Sequence, residues 1–496
     1  MTIENKRKLS LSQLEQYLSK AAWTLKGPVD ASDYKAYIFP LLFFKRISDV
    51  YDEEYKNALE ESGNDKEYAA LKEFHRFEIP KDCHWKDIRE TTVNVGSKIQ
   101  NAFREIESSN QEYLYGIFGD VQWSNKEKLS DELINNLIEH FSQYNLSNSM
   151  VSADILGQAY EYLIKHFADL TNKKAGEFYT PRSVIHLMTL ILDPKENESI
   201  YDPACGTGGM LIECLEYLKK SNQDPRTLKV FGQESNLTTS AIARINLFLH
   251  DAEDFNIHKG DTLRNPGFFD TDNLKTFDCV IANPPFSLKN WGSENWANDP
   301  FGRNFAGIPP KKSGDMAWVQ HMIKSMNSAG RMAVVLPHGV LFRQGSEGKI
   351  RKSLLEQDLI ETVIGVGANI FYGTQLAPCI LILKQNKEQP KKGKVLFIDA
   401  SDQIRVGKAQ NFLDQGHVKK IFERYCANGN EESFTKVASL EDIKDNGYSL
   451  NIPLYVEKII EDNLPSVEEA LSDLTMAWNG SLESEKKFKD LLKEFI

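Results

Sequence analysis

An asparagine, two prolines and a phenylalanine stand in a row at Asn283-Pro284-Pro285-Phe286, directly after the strand-like run Phe277–Ala282. That order places them at a strand's carboxyl end, the edge where ligands collect in open α/β sheets. The Asn283 side chain offers an acceptor oxygen. Each proline lacks an N–H but keeps its carbonyl, and the fixed φ aims that carbonyl. Phe286 offers a flat face for stacking. Such a set suits a planar amine on an aromatic ring. Two acceptors take both amino hydrogens, draw the nitrogen lone pair out of conjugation and turn it toward an electrophile. A nucleobase flipped from a duplex fits that description. The same four residues would also serve as a strand followed by a proline-rich turn, so their surroundings decide.

A second constellation lies upstream. Asp202-Pro203-Ala204-Cys205-Gly206-Thr207-Gly208-Gly209 sits between the short strand Ser199–Tyr201 and a helix expected at 210–220. Glycines in such a turn let the backbone approach a bound ligand. The string does not match the G-x-G-x-x-G dinucleotide fingerprint. The nearest approach to a phosphate-binding loop, Gly345-Ser-Glu-Gly-Lys349-Ile, also misses, so ATP hydrolysis has no support. Glu234 closes the next strand (229–233) and is placed to take both hydroxyls of a ribose. Asp261 follows strand 255–259 and could accept from an adenine amine. Asp202 would suit the cationic amino group of a methionine moiety.

The elements that must position these residues change character near residue 150. Before it, apolar positions at Leu11, Leu14, Leu18, Ala21, Ala22 and Leu25 recur at helical spacing. The run Tyr37–Phe44 is too apolar for a surface helix and is expected at the centre of an all-α domain. Further helices are expected at 65–75, 97–107 and 129–144. After it, helices at 152–168, 183–191, 236–250, 315–328 and 348–356 alternate with strands at 277–282, 331–336, 359–366 and 377–384. Alternation of that kind marks a doubly wound, mostly parallel sheet. Residues 287–314 lack periodicity and are expected as a mobile loop beside the site. The polar stretch 385–394 reads as a linker, and Val395–Asp399 as a last strand opening a C-terminal segment. Residues 454–496 carry apolar and charged positions at helical spacing, which suits one or two exposed helices that pair with a partner.

Composition narrows the class. The 496 residues allow about three domains, expected at 1–145 (helical, docking DNA or a partner), 146–394 (the sheet) and 395–496 (C-terminal segment). No apolar run approaches the ~18–20 residues of a membrane span, and the N-terminus has no apolar signal region. The expected location is cytoplasmic. Six cysteines lie scattered without a C-x-x-C pair, so neither zinc nor a disulfide framework is expected. The net charge is −12. Phosphate contacts by Lys and Arg supply most DNA-binding energy, so an acidic chain would need a partner for its grip.

Together, DPACGTGG, the acidic residue after the second strand, Gly260-Asp261 after the third and NPPF resemble the motifs of S-adenosylmethionine-dependent amino-methyltransferases acting on DNA. Gly176-Glu177-Phe178-Tyr179-Thr180-Pro181-Arg182 resembles that family's additional cofactor motif. With DASDYKAYIFPLLFFKRISD (30–49) and Gly447-Tyr-Ser-Leu-Asn451, nearly the whole chain looks like the modification (M) subunit of a type I restriction–modification system. The resemblance implies an all-α N-terminal domain, a seven-stranded methyltransferase sheet with an antiparallel final strand pair, and a C-terminal helical extension. It implies a cofactor pocket lined by Glu177–Arg182, Asp202–Gly209, Glu234 and Asp261. Asn283 and the Pro284 carbonyl would hold an adenine 6-amino group beside Pro285, with Phe286 stacking on the base. Phe in place of the commoner Tyr keeps the ring and loses a hydroxyl. The implied partners are double-stranded DNA, a specificity (S) subunit that reads it and a restriction (R) subunit that cuts it, with two M copies per S subunit.

Direct methyl transfer needs no metal and no covalent intermediate. A covalent route at cytosine would need a Pro-Cys in the NPPF slot. The chain's Pro378-Cys379 falls inside a late apolar strand, and Cys205 reads as packing. A stand-alone DNA adenine methyltransferase is the first rival, but residues 395–496 leave little room for a recognition domain. A non-catalytic cofactor-binding scaffold is the second, and it would have no need of an intact NPPF.

Overall fold

Helix α1 (Leu11–Leu25) opens on a capping box, in which the Ser10 hydroxyl accepts the Gln13 N–H and the Gln13 side chain accepts the Ser10 N–H. The computed structural model describes residues 8–170, 180–250, 252–371, 376–408, 410–458 and 466–493. These fall into two units, Met1–Val456 and Glu457–Ile496.

In the first unit, α1 buries Leu14, Leu18, Ala21 and Leu25 against α2 (Tyr34–Glu61) and its neighbours. The stretch Tyr37–Val50 of α2 is buried on all sides, as its composition requires. Burial there extends to charged groups that must be paired. Lys45 meets Asp49, and Asp49 Oδ2 also accepts the Leu146 N–H at 2.7 Å. Helices α3 (Val95–Ser109), α4 (Asp131–Phe141) and α5 (Ala153–Leu170) complete the helical core. That core continues into Ile242, Ile245, Phe248 and Leu249 of a later helix. Phe43 meets Phe248 edge-on at 5.2 Å. The expected helix at 65–75 is instead one α turn (Lys66–Ala69) and one 3-10 turn (Lys72–Phe74).

The sheet has nine strands: β1 (Ser199–Asp202), β2 (Lys229–Glu234), β3 (Phe255–Lys259), β4 (Phe277–Ala282), β5 (Met326–Pro337), β6 (Ile360–Val366), β7 (Pro378–Lys384), β8 (Lys394–Ala400) and β9 (Thr435–Ser439). Their spatial order is β9-β8-β6-β7-β5-β4-β1-β2-β3. Pairs along β3-β2-β1-β4-β5 are parallel. Strand β7 runs antiparallel between β5 and β6. The expected seven strands are therefore present, with the antiparallel insertion, but the sheet does not stop there. Strand β8, expected only to open a C-terminal segment, pairs in parallel with β6, and β9 adds an antiparallel edge. Burial drives this extension, because β6 is buried along its whole length and β8 covers its open edge.

Helices α6 (Arg182–Leu192), α7 (Gly209–Lys220), α8 (Leu237–Leu249), α9 (Asp315–Lys324), α10 (Ser346–Glu356) and α11 (Gln415–Ala427) cover the sheet. Helix α9 ends at Lys324 rather than 328, and β5 begins at Met326 rather than 331. The polar Asn327-Ser328-Ala329-Gly330 is the irregular start of a strand, where pairing with β4 shifts register between Phe277 and Cys279. The order of winding reverses at β1, with β2 and β3 added on one side and β4 and β5 on the other, so the carboxyl ends of β1 and β4 flank a topological switch point.

The second unit holds one described helix, α12 (Val467–Lys493). Val467, Leu471, Leu474 and Trp478 recur along it at intervals of three and four and are all exposed, Trp478 at 66%.

Candidate functional site

A cleft of about 860 Å³ opens at the carboxyl ends of β1, β2, β3 and β4. That volume lies in the range of small-molecule sites, about 300–1,000 Å³. The wall includes Thr180, Arg182, Asp202–Thr207, Gly209, Glu234, Asp261, Asn283 and Pro285, which come from five separate stretches of sequence. Pro181, Gly208, Pro284 and Phe286 are not part of its lining, and Glu177, Phe178 and Tyr179 fall outside the described residues.

Each group is aimed by its element. Asp202 is the last residue of β1 and is buried. Its Oδ1 accepts the Ala204 N–H at 2.9 Å, which folds the turn back on itself. Burial pushes the carboxyl up to about 8, opposed by that N–H and reinforced by the Glu234 charge. Gly206 (φ 54°) and Gly208 (φ 82°) take left-handed conformations that a side chain would strain, and Gly208 caps α7. Glu234 ends β2. Its two oxygens accept the Gly206 N–H at 3.1 Å and the Asn236 N–H at 2.8 Å, so it also shapes the glycine turn. Asp261 Oδ1 accepts the N–H groups of Leu263 (3.1 Å) and Arg264 (3.2 Å), so this carboxylate caps its own turn at the cleft edge. The Thr262 hydroxyl donates to the Pro203 carbonyl at 2.5 Å and ties the two turns together.

Asn283 follows β4. Its Nδ2 donates to Thr180 Oγ1 at 2.8 Å. Its Oδ1 is buried and has no hydrogen-bond partner among the described residues. A buried amide oxygen left unmatched costs about 1–3 kcal/mol, so the fold holds an acceptor in reserve at the cleft wall. Phe286 is half-buried against the core, with its ring 6.2 Å from that of Phe371. Ser287 is left-handed (φ 49°), and its N–H donates to Asp315 Oδ1 at 2.6 Å.

The loop 287–314, expected to be mobile, is built around buried indoles. Trp291 and Trp296 meet edge-on at 5.1 Å and pack with Leu263, Ala317 and Trp318. The buried Arg303 binds Asp299 at 2.6 Å and donates to the carbonyls of Thr262 and Leu263, joining this loop to the one that carries Asp261.

Several cleft residues escaped the sequence reading. Asn246 Nδ2 donates to the Thr207 carbonyl at 3.0 Å, bracing the glycine turn from α8, and its own oxygen is buried without a partner among the described residues. A single amide inside the apolar run Ile245–Leu249 was the available signal. Leu11 and Glu15 of α1, with Gln158 and Tyr162 of α5, also face the cleft. The helical region therefore shares the site as well as flanking it. Cys205 and Cys379 are both buried, and burial pushes their thiols well above the usual range. Cys379 lies inside β7, so neither is poised as a nucleophile.

The switch-point cleft thus has an acidic glycine turn on one side and, on the other, a carboxamide oxygen with no partner among the described residues. The N-6 DNA Methylase family model matches residues 151–463, and the HsdM N-terminal domain model matches 14–141. The MjaVIII type I restriction enzyme methylase subunit of Methanocaldococcus jannaschii is 33% identical over all of this chain and 86% of that protein. The MpnII type I methylase subunit of Mycoplasma pneumoniae is 26% identical over 99% of this chain and 98% of that one. The crystal structure of a type I restriction-modification system methyltransferase subunit from Streptococcus thermophilus superposes with a TM-score of 0.77. It is 32% identical and covers 90% of this chain and 100% of that one. The chain belongs to the N-6 DNA methylase family, among the methylase subunits of type I restriction enzymes, and is an adenine-specific DNA methyltransferase.

Proposed function

We propose that the cleft binds S-adenosylmethionine at the β1–β3 side and receives a flipped adenine at Asn283. The observation that carries this reading is the buried, unmatched Oδ1 of Asn283 beside a cleft of cofactor size.

The residues fit the donor. Asp202 is a buried carboxyl whose ionised form has no matching cation among the described residues, and the ammonium of a methionine moiety would supply one. Glu234 Oε1 accepts the Asn236 N–H and the Ser235 hydroxyl, while Oε2 accepts the Gly206 N–H and keeps a further lone pair for a ribose hydroxyl. Asp261 would meet the donor's adenine, and the glycine turn would let the backbone close on it. When bound, S-adenosylmethionine supplies a methyl group activated by a sulfonium.

On the substrate side, Asn283 Oδ1 and the Pro284 carbonyl accept the two hydrogens of the adenine amine. This turns its lone pair out of conjugation, so positioning and an aimed dipole supply the rate. The Phe286 ring would contact the base from the core side of NPPF. With Cys205 and Cys379 buried and their thiols raised, no described residue in the cleft suits a covalent route at cytosine.

The partners proposed are duplex DNA, a specificity subunit, a restriction subunit and a second copy of this chain on the same specificity subunit. The net charge of −12 supports a division of labour in which another subunit grips DNA. The exposed apolar stripe of α12 supports a partner-facing role for the C-terminal unit.

Labelled-methyl transfer to unmethylated DNA tests this, with the chain alone and in its co-purified complex, followed by nucleoside analysis. N6-methyladenine from the complex is the expected product. Transfer by the chain alone would make it self-sufficient. Methylcytosine, or donor binding without transfer in either form, would contradict the assignment.

A further inference from the structure

We propose that Thr180 is a positioning residue for methyl transfer, which holds the Asn283 carboxamide so that its oxygen faces the incoming amine. This rests on the adenine reading of the site. Thr180 and Asn283 lie 103 positions apart and meet at the cleft wall, with Nδ2 donating to the Thr180 hydroxyl oxygen at 2.8 Å. The opposite end of the same amide is the buried oxygen with no partner among the described residues. The two ends of an amide have nearly the same shape, so a half-turn about the Cβ–Cγ bond would exchange acceptor for donor. A target amine brings only hydrogens to this position. It needs the oxygen forward, and the NH2 must then be taken up behind. The Thr180 hydroxyl is the group that takes it. Its place is fixed from outside the sheet, because the next residue, Pro181, caps α6 with φ −56° and ψ 131°. The Asn283 backbone is fixed from the other side by β4. Two separate elements therefore define one rotamer.

The sequence assigns Thr180 to the cofactor wall. The hydrogen bond gives it a different consequence, since it acts through Asn283 on the chemical step rather than on donor affinity.

Thr180→Val keeps the shape and removes the oxygen, while Thr180→Ser keeps the oxygen. Both are made in the full chain within its co-purified complex. Donor affinity is measured by calorimetry with S-adenosylmethionine, and kcat and KM by labelled transfer. The expected result for Thr180→Val is a kcat lower by about tenfold, the loss of one neutral hydrogen bond. Donor Kd should stay within about twofold, and Thr180→Ser should restore kcat. If valine prevents folding, judged by thermal unfolding, Thr180→Ala serves the same comparison. An unchanged kcat would overturn the proposal. So would a weakened donor Kd with kcat intact, which would return Thr180 to the cofactor wall. A wild-type complex that methylates no adenine would fail the parent reading instead, whatever the variants do.

Discussion

Asp202 is a buried acid of the cleft. Its carboxyl is raised by burial to about 8, against an ordinary value of about 3.9. A group raised on folding contributes stability that is complete below its unfolded value and lost as pH rises through the folded one. Here the neutral carboxyl favours the folded chain at low pH, and that contribution disappears between about pH 4 and pH 8. Donor binding has the opposite sign, because a cation placed beside Asp202 requires the carboxylate. Affinity for S-adenosylmethionine should therefore rise with pH, by up to about tenfold per unit, and level off near pH 8. Calorimetric titration across pH 6–9 reads this directly, and Asp202→Asn should flatten the profile. An equal slope in the variant would place the titrating group elsewhere. At this scale the sequence was informative where glycine and proline constrain backbone, as in the 202–209 turn and NPPF. It was silent on Asn246 and on the pairing of Thr180 with Asn283, which depend on contacts between residues distant along the chain.

The elements around NPPF hold its backbone by a buried polar cluster. Asp315, the first residue of α9, accepts the Ser287 N–H, the Ser313 hydroxyl at 3.0 Å and an Arg343 N–H at 3.1 Å. Ser287 is left-handed, a conformation that costs a non-glycine residue roughly 1–2 kcal/mol unless held. Asp315→Ala strands the Ser287 N–H and one end of Arg343. It should destabilise the chain by about 2–4 kcal/mol, seen as a lower midpoint in urea unfolding with an unchanged slope. A midpoint within error of wild type would mean the cluster holds nothing. Periodicity made most helices and the central strands legible. It failed where structure is aperiodic. The loop 287–314 gains its order from Trp291, Trp296 and Arg303, which pack within the loop and also reach Leu263, Ala317, Trp318 and the Thr262 carbonyl outside it. The start of β5 fell within the end of the helix expected at 315–328 and the gap before the strand expected at 331. Asn327 instead donates to Asp278 of β4 at 2.6 Å, across the register shift.

Across the whole molecule, the catalytic unit ends at Val456 and the C-terminal unit is an apolar-striped helix. The described side chains of α12 are all exposed, so no core depends on them. Deleting residues 457–496 should leave the thermal midpoint within about 2 °C and donor affinity intact, while co-purification with the partner subunit is lost. A large fall in the midpoint would show that the helix supports the first unit. The count of sheet strands was the fold feature least visible beforehand. The polar segment 385–394 reads as a linker, and nothing local tells that β8 will return to cover β6. Fold class and family were legible because glycine turn, acidic strand ends and NPPF follow one another in the order that a switch-point sheet brings together.

The account turns on one atom, the oxygen of Asn283. The most direct measurement is methyl transfer and donor binding by Asn283→Ala in the intact complex. The structure predicts that S-adenosylmethionine still binds, with Kd within about twofold. Formation of N6-methyladenine should fall by at least about 100-fold, as expected when an aimed group is removed from a preorganised site. Transfer within a few-fold of wild type, with donor binding unchanged, would contradict the role given to Asn283 and the mechanism built on it.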